Sequence, residues 1–267
     1  MAQKRVDAGR GRNPGVVKAT TKESPTNRIF YLIFALVAVG GIGALTYAST
    51  RPRNALKVTT VDTTLPPVKS EGYVLGSPTA PIEVIEFGDF ECPQCGRFAN
   101  LTEPDIRSRI VETGRIRFRY IDFPLDMHPN TWNASRAAAC ADEQGKFWEM
   151  HDAIFRAQDQ WDGTATKNPD KVLKDLGKQI GLKQDQFNEC VDSKKYQAKI
   201  QAHLKLGNER QVNGTPTFFI GNKLLYGVIT YDEFKHAVDS AIVASGKDTA
   251  KVGGDTAKGT ALPKAKK

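Results

Sequence analysis

The chain has 267 residues, a formal net charge of +8 and 40% hydrophobic residues. This length allows one buried domain of ordinary size with appendages, or two small domains. The basic residues are concentrated at the ends, since residues 1–28 carry a net charge of +5 and residues 246–267 a net charge of +4. The nearly neutral body between them lacks the basic surface that binds a phosphate backbone, which argues against nucleic-acid binding.

Residues 29–50 contain no charged residue and lie between Arg28 and Arg51. As a helix this segment would be about 33 Å long, enough to cross a bilayer. The alternative is a cleaved signal peptide, but its apolar core is typically about 7–15 residues long, and the sequence 46–48 matches an A-x-A cleavage site poorly. We therefore expect one N-terminal transmembrane helix over 29–50.

The seven Lys and Arg residues within 1–28 predict the orientation of that helix. Positive residues stay on the cytoplasmic side, so the disordered basic tail over 1–28 would be cytoplasmic. The protein would be a single-pass protein of the cell membrane, with everything after Arg51 in an oxidising extracytoplasmic space. Prolines among small and polar residues predict a linker over 51–71, followed by a folded domain over 72–245. A disordered Lys/Ala/Gly tail is expected over 246–267.

Two segments predict strands in the first half of this domain. Residues 82–87 are rich in β-branched residues and largely apolar on both faces, which predicts a central strand. Over 115–120 arginines alternate with Ile, Phe and Tyr, which predicts a half-buried strand with a solvated arginine face. A helix is expected from Pro93, with a break near Pro104.

From about residue 130 to 209 the apolar periodicity becomes helical, which predicts a helical insertion. The stretches 217–220 and 224–226 flank a Gly-Asn-Lys turn and predict a hairpin. Thr230 and Glu233 form a capping-box pattern for a last helix. Strands, a helical insertion and a closing hairpin with a helix predict an α/β domain.

Cys92-Pro93-Gln94-Cys95 follows the first of these strands, where the chain passes into a helix. The first helical turn offers unpaired N–H groups and the positive end of the helix dipole, which stabilise a thiolate. Pro93 suits the first helical position. Cys92 is therefore the expected nucleophile. Cys95, one turn further on, is placed to attack a mixed disulfide on Cys92, which is thiol–disulfide exchange chemistry.

Cys140 and Cys190 lie in the predicted helical insertion. In an oxidising compartment, with Cys92 and Cys95 paired to each other, we predict a structural disulfide between these two remaining cysteines. Two buried free thiols are the alternative.

The four histidines are His128, His151, His203 and His236. They are scattered far from the C-x-x-C pair, so no metal site is expected, nor any other cofactor. Two of them, His151 and His203, lie on apolar helical faces and are expected to be core or boundary residues. The histidine at 128 lies in a loop, where it would either approach the active site or cap the loop.

Three separated motifs resemble the DsbA-type thiol–disulfide oxidoreductases: IEVIEFGDFECPQC at 82–95, QGKFWEMHD at 144–152 and GTPTFFI at 214–220. The resemblance covers about residues 72–244. It implies a thioredoxin fold with an inserted helical domain, here preceded by the transmembrane helix. It also implies that Cys92 is the attacking and leaving thiol and that Cys95 is the resolving thiol.

The resemblance also assigns roles outside the cysteines. Pro216 matches the family's cis-proline, which faces the active-site disulfide. Thr215, with Pro93 and Gln94, is expected to contact a bound substrate strand. Glu86 falls at the family's buried acidic position, where a carboxylate relays protons to the inner thiol. An ordinary carboxylate facing an edge is the alternative for Glu86.

One departure from the family concerns oxidising strength. Many strong oxidases of this family carry a histidine before the second cysteine, where this chain has Gln94, which offers only a neutral hydrogen bond. Asp89 and Glu91 are expected to raise the pKa of the thiol through their negative charge. The sequence therefore predicts an oxidase of moderate potential.

The expected function is to introduce disulfides into reduced exported proteins. By the resemblance, a quinone-coupled membrane protein of the DsbB or vitamin K epoxide reductase type would reoxidise the cysteine pair. A thiol–disulfide isomerase or reductase of the same fold is one alternative. The linker over 51–71 is too short to be the dimerisation domain typical of isomerases. A non-enzymatic chaperone or binding module is the other alternative.

Overall fold

The computed structural model describes residues 25–50, 59–60 and 72–246. The chain divides into two units, residues 1–55 and residues 56–267. The predicted tails, 1–28 and 246–267, and the linker over 51–71 lie almost entirely outside the described residues.

The first unit contains helix α1 (Pro25–Thr50). Its large apolar residues from Ile29 to Ile42 have exposed side chains, at 57–72% of their full accessible area. Across the described part of the chain, no helix combines the length and the hydrophobicity that crossing a membrane requires. The transmembrane helix expected over 29–50 stays a prediction.

In the second unit, the strands among the described residues form one mixed sheet in the order β1-β6-β5-β3-β4-β2. Strand β3 is central, parallel to β4 and antiparallel to β5, as the sequence predicted for residues 82–87. The outer pairs, β2 with β4, β5 with β6 and β6 with β1, are all antiparallel. The strand bounds are β1 (Thr59–Thr60), β2 (Tyr73–Leu75), β3 (Ile82–Gly88), β4 (Ile116–Asp122), β5 (Thr217–Ile220) and β6 (Lys223–Tyr226).

The predicted helical insertion is confirmed, because every helix from α4 to α9 lies between β4 and β5. The expected break near Pro104 is also present, between α2 and α3. The capping box of the last helix forms as predicted, with reciprocal bonds between Thr230 and Glu233. The helix bounds are α2 (Pro93–Leu101), α3 (Glu103–Ile106), a π-helical turn (Arg107–Val111), α4 (Thr131–Asp142), α5 (Phe147–Arg156), α6 (Gln158–Trp161), α7 (Asp170–Gln179), α8 (Gln184–Asp192), α9 (Gln197–Glu209) and α10 (Tyr231–Ala244).

The core consists of three clusters of buried side chains. One packs α2, α3 and α10 against the sheet around Phe118 and Phe218. A second cluster contains Phe87, Ile121 and Phe219. These side chains belong to the same strands but lie on the opposite side, so this cluster covers the other face of the sheet. The third fills the helical insertion and includes both cysteines of the C-x-x-C motif. The motif therefore lies where the insertion packs onto the sheet.

The arginine face of β4 is not uniformly solvated, and this part of the sequence prediction is wrong. The Arg119 residue is only 4% exposed. Its Nη2 donates to Glu83 Oε1 on the neighbouring strand at 2.7 Å. A buried guanidinium needs such a partner, because losing its hydration without one is costly. Arg117, whose side chain is 36% exposed, lies 3.6 Å from the same carboxylate.

Candidate active site

The C-x-x-C motif lies at the end of the central strand and opens α2. Cys92 is the N-cap residue, with an extended backbone (φ −68°, ψ 121°), and Pro93 occupies the first turn of the helix. Cys92 is 6% exposed and Cys95 is fully buried. Both are free thiols, so the structure shows the reduced form of the pair. This arrangement gives the outer cysteine access to partners and keeps the inner cysteine away from solvent.

The two thiols have opposite electrostatic properties. The pKa of Cys92 is lowered from 9.0 to about 6, chiefly by a hydrogen bond from the Cys95 thiol, although burial acts in the opposite direction. The Thr215 side chain and the backbone N–H groups of Cys95 and Gln94 contribute to the same lowering, the latter as expected at a helix N-terminus. Burial raises the pKa of Cys95 well above 9.0, and the charges of Cys92 and Glu86 act in the same direction. At neutral pH, Cys92 is therefore the thiolate and Cys95 the protonated thiol.

The peptide between Thr215 and Pro216 is cis. When Cys92 is protonated, its thiol donates a hydrogen bond to the Thr215 carbonyl, which lies 3.4 Å from the sulfur. The Pro216 carbonyl accepts one from Gly227 N at 2.8 Å, which holds this loop at the end of β6. The structure thus brings the two loop residues expected from the sequence to the nucleophile.

A surface cavity of about 300 Å³ lies between this loop and the helix start. Gln94, Gly214, Thr215, Pro216 and Tyr226 are among its lining residues. Pro93 is exposed beside it but does not line it. The cavity has the position of a groove for an extended substrate segment, and Gln94 is the motif residue facing it.

Glu86 lies on β3 and is only 1% exposed. Its Oε2 atom is buried without a hydrogen-bond partner among the described residues. Burial raises the pKa of Glu86 well above 4.5, the charge of Glu103 raises it further, and Arg107 opposes the shift. The alternative of an ordinary edge-facing carboxylate is contradicted by this burial on the central strand. The raised pKa favours the protonated form of this carboxyl group.

The pKa of Cys92 is lowered although Asp89 and Glu91 lie nearby, because hydrogen bonds to Cys92 outweigh the opposing effect of burial. The rise that the sequence predicted from these two charges stays a prediction. Asp89 is buried and accepts hydrogen bonds from Glu91 N at 2.8 Å, Thr131 Oγ1 at 2.5 Å and Leu125 N at 2.9 Å. His128 Nδ1 lies 2.7 Å from Asp89 Oδ2, the oxygen that also accepts from Leu125 N, and this contact raises the pKa of His128. These hydrogen bonds fix the position of the Asp89 carboxylate.

Glu91 has a similar structural role. Its carboxylate accepts from Asn130 N and Gly163 N, both at 2.6 Å. Together the two acidic residues fasten the active-site loop to the loop before α4 and to the segment after α6. The sequence pattern did not reveal this, because the donors are backbone groups about 40 and 70 residues away.

Gln158 is a site residue that the sequence analysis missed. Its Nε2 donates to the carbonyl of Phe90 at 2.7 Å and to the carbonyl of Cys92 at 3.1 Å. A Cβ on Gly96 would lie 2.7 Å from Gln158 Oε1, so the glycine leaves room for this contact. Gln158 fixes the backbone that carries the nucleophile. A lone glutamine at the start of a short helix gives no sequence signal of such a role.

Cys140 and Cys190 form a disulfide with an S–S distance of 2.07 Å. It joins α4 to α8 inside the cluster of the helical insertion. His151 and His203 are both buried, at 1% and 0% exposure, as expected for core histidines. His203 Nδ1 lies 2.9 Å from Asp122 Oδ2, and its Nε2 accepts from Gly72 N at 3.2 Å.

The low pKa of Cys92 predicts a specific pH profile of alkylation. In the full-length protein with only the C-x-x-C pair reduced, we expect the iodoacetamide rate to rise with a midpoint near pH 6 and then level off. Below the midpoint the thiol is protonated and reacts slowly. Mass spectrometry identifies the alkylated residue.

The Cys95→Ala variant tests the cause of this profile. Because the Cys95 hydrogen bond is the largest stabilising contribution, its loss should move the midpoint upward toward 9.0. A wild-type midpoint already near 8.5, the value of an ordinary cysteine, would contradict the assignment.

The sheet with its helical insertion, the C-x-x-C pair at a helix N-terminus and the facing cis-proline loop define the class of DsbA-like thiol–disulfide oxidoreductases. The chain belongs to the thioredoxin family, whose model matches residues 69–240.

The chain is similar to known proteins over about two thirds of its own length. Disulfide bond formation protein D of Bacillus subtilis is 27% identical over 177 residues, which cover 63% of this chain and 76% of that protein. The crystal structure of Wolbachia pipientis α-DsbA1 superposes with a TM-score of 0.60 at 25% identity, covering 68% of this chain and 96% of that one.

A Na⁺/H⁺ antiporter NhaA 3 of Salinispora tropica is 32% identical over 186 residues, or 69% of this chain. This chain spans only 27% of the antiporter's length.

Proposed function

We propose that the protein is an oxidase that introduces disulfides into exported proteins on the outer side of the cell membrane. The observation that carries the proposal is the contrast between a Cys92 thiolate with a pKa of about 6 and a buried, protonated Cys95. A stabilised thiolate favours the reduced pair, and a pair that prefers to be reduced oxidises other dithiols. The similarity to disulfide bond formation protein D supports the same direction.

The reaction follows from the geometry of the pair. A substrate thiolate attacks Cys92 in the Cys92–Cys95 disulfide, and Cys95 leaves as a thiolate that takes up a proton. A second substrate thiolate then attacks the substrate sulfur of the mixed disulfide and releases Cys92 as a thiolate. Two electrons pass from the substrate thiols to the cysteine pair. The low pKa of Cys92 makes it a good leaving group in this second step.

Glu86, Thr215 and Pro216 have supporting roles in this scheme. The substrate segment would lie in the cavity between Gln94 and the cis-proline loop, against the backbone of Thr215. Glu86 would donate the proton that Cys95 needs on leaving and take it back on reoxidation. Its raised pKa favours the protonated carboxyl, which is the form that can donate a proton to Cys95.

The extracytoplasmic location rests on the uncharged segment 29–50 and on the basic residues before it. The exposed apolar side chains of α1 support an anchor, since they need an apolar environment that this helix does not supply by itself. A membrane anchor would also keep the pair close to a quinone-coupled partner of the DsbB or vitamin K epoxide reductase type. That partner would accept the two electrons and restore the Cys92–Cys95 disulfide.

A cell-based assay tests activity and location together. In bacteria that lack their own periplasmic disulfide oxidase, the full chain should restore the activity of an exported phosphatase that requires disulfides. Val37→Arg with Val39→Arg should abolish this restoration, because each charge near the centre of a span costs about 3 kcal/mol of insertion free energy. The matched control, Val37→Leu with Val39→Leu, should restore the phosphatase as well as the wild type does.

Purified wild type and both double variants should oxidise reduced ribonuclease equally. Restoration by the arginine variant would contradict the anchor. Failure of the wild type to oxidise reduced ribonuclease, together with rapid repair of scrambled ribonuclease, would favour the isomerase alternative. A potential as reducing as that of thioredoxin, about −270 mV, would contradict an oxidase.

A further inference from the structure

A group of buried ionisable side chains lies behind Glu86, beyond the residues assigned so far. Glu103 on α3 is 1% exposed, and His151 on α5 is also 1% exposed. Arg107 donates to Glu103 Oε1 from both Nε, at 2.8 Å, and Nη2, at 2.6 Å. The other Glu103 oxygen, Oε2, is buried without a hydrogen-bond partner among the described residues. One oxygen of this carboxylate is therefore fixed and the other is open.

The open oxygen of Glu103 faces His151. Its Oε2 lies 3.9 Å from His151 Nε2, and this nitrogen is also buried without a hydrogen-bond partner in the described part of the chain. Burying two facing polar atoms without hydrogen bonds costs free energy, and a purely structural role would not explain that cost. The pair is explained if a proton passes between them.

The other nitrogen of His151 accommodates both tautomers of the ring. Its Nδ1 lies 3.0 Å from Asp152 Oδ1, an acceptor, and 3.2 Å from Arg107 Nη2, a donor. With a proton on Nδ1, the ring donates to Asp152 and leaves Nε2 free to accept. With the proton on Nε2, Nδ1 accepts from Arg107. A histidine that is satisfied in either state can pass a proton from one nitrogen to the other.

Among the described residues, the polar groups around His151 connect it to Glu103 on one side and to the partly exposed Asp152 on the other. Aromatic rings enclose the imidazole, with centroid distances of 4.8–6.0 Å, and its polar neighbours are Glu103, Arg107 and Asp152. The Asp152 side chain is 33% exposed and lines, with Arg107, a surface cavity of about 220 Å³. The rings belong to Phe90, Tyr120, Phe147, Trp148 and Phe155.

Glu86 couples the inner end of the group electrostatically to the cysteine pair. Glu86 carries an open Oε2 of its own, and the charges of Glu103 and Cys92 add to the rise that burial causes in its pKa. The charge of Glu86 in turn adds to the rise in the pKa of Cys95. Tyr120 on β4 packs against His151, with ring centroids 5.2 Å apart, and its pKa is raised first by burial and then by the charges of Asp122, Cys95 and Glu86.

We propose that Glu103 and His151 extend the proton path of Glu86, so that Cys95 exchanges its proton with solvent through Glu86, Glu103, His151 and Asp152. The inference rests on the proposed exchange chemistry of Cys92 and Cys95, but it holds for either direction of electron flow. Glu103 and His151 are positioning residues here, since they act on Cys95 through Glu86.

During reoxidation, the path carries one proton from Cys95 to the solvent. Cys95 S–H gives its proton to Glu86, and the resulting thiolate attacks Cys92 in the mixed disulfide. A new Cys92–Cys95 bond forms and the partner's sulfur leaves as a thiolate. The proton on Glu86 passes to Glu103 and on to His151 Nε2, while His151 Nδ1 releases its proton to Asp152 and the solvent. When a substrate reduces the pair, the same transfers run in reverse and protonate Cys95.

The test isolates the step that needs the proton. Full-length reduced protein is mixed with oxidised glutathione, quenched with acid at set times, and analysed by mass spectrometry. Formation of the Cys92–glutathione disulfide does not need the path, whereas its resolution by Cys95 does. We expect Glu103→Gln and His151→Phe each to slow resolution about tenfold at pH 6–7, less than the roughly 10²–10⁴-fold of a general acid or base in direct contact, because both residues act through Glu86. The rate of mixed-disulfide formation should stay unchanged.

The pH profile separates a proton path from a structural effect. The deficit should shrink toward pH 9, where hydroxide deprotonates Cys95 without the path. Glu103→Gln keeps the size of the side chain and an oxygen for Arg107, so it serves as the test if His151→Phe does not fold. His203→Phe is the matched control, because His203 is equally buried and also contacts a carboxylate, but that carboxylate is Asp122.

Wild-type resolution rates in the variants at pH 6 would overturn the proposal, as would an equal slowing in His203→Phe with the same pH profile. A deficit that does not change with pH would also overturn it. If the wild type forms no mixed disulfide with glutathione, the proposed exchange chemistry itself fails, and the path fails with it.

Discussion

Replacing Cys92 with serine is expected to abolish disulfide transfer. Replacing Cys95 with alanine is expected to leave Cys92 in mixed disulfides with partner proteins. Cys92 carries the thiolate, and a serine hydroxyl at the same position is not ionised at neutral pH, so oxidation of reduced ribonuclease should fall to the background rate. Without Cys95, the protein cannot form the Cys92–Cys95 disulfide that oxidises a substrate, and a disulfide between Cys92 and an oxidised partner cannot be resolved from within the protein. The two variants therefore differ in the product that accumulates, and not only in rate.

The measurement combines a rate with the identity of the trapped species. Cys95→Ala should accumulate mixed disulfides that appear on non-reducing gels and disappear on reduction, whereas Cys92→Ser should show none. Full biological activity of Cys92→Ser would contradict the enzymatic function and favour a thioredoxin-fold chaperone or binding module. Cys92→Ser with Cys95→Ala provides the control for disulfides formed by other cysteines.

Removing the Cys140–Cys190 disulfide is expected to lower the free energy of unfolding by about 4 kcal/mol. The bond closes a loop with a sequence separation of 50 residues and restricts the unfolded chain accordingly. Single domains are stable by only about 5–15 kcal/mol, so this loss would remove much of the total. Disulfide exchange at Cys92 should persist under conditions where the variant remains folded, because the bond lies in α4 and α8.

Denaturant unfolding of the full-length protein and of Cys140→Ala with Cys190→Ala measures the difference. The wild type with Cys140–Cys190 chemically reduced is the matched control, since it loses the bond but keeps both sulfur atoms in the core. Both should unfold at a lower denaturant concentration than the oxidised wild type. Mass spectrometry after mild reduction of the active-site pair should find two alkylated thiols. Four alkylated thiols, or a variant as stable as the oxidised wild type, would contradict the prediction.

Features of the site that depend on neighbouring residues could be predicted from the sequence, whereas features that depend on distant residues could not. The central strand, the helix that starts at Pro93, the hairpin and the capping box were predicted because each depends on neighbouring residues. The chemistry of the motif could be predicted for the same reason, because the N–H groups that stabilise a thiolate at the start of a helix belong to the residues that directly follow it. The charge of Asp89 could not be interpreted in the same way, because its donors come from the loop at 125–131.

By itself the sequence determined the nucleophile, the resolving thiol, the strands β3 to β6 with the helical insertion between them, and the resemblance that links Thr215 and Pro216 to the motif, but not the short strands β1 and β2. Only the tertiary structure decided which buried polar groups meet. Gln158 reaches the Cys92 carbonyl across 66 residues of chain, and Arg119 is buried against Glu83 across 36. The reason is physical: periodicity along a strand or helix shows which face is apolar, but a buried polar atom is stabilised by whichever partner the packing of distant segments brings to it.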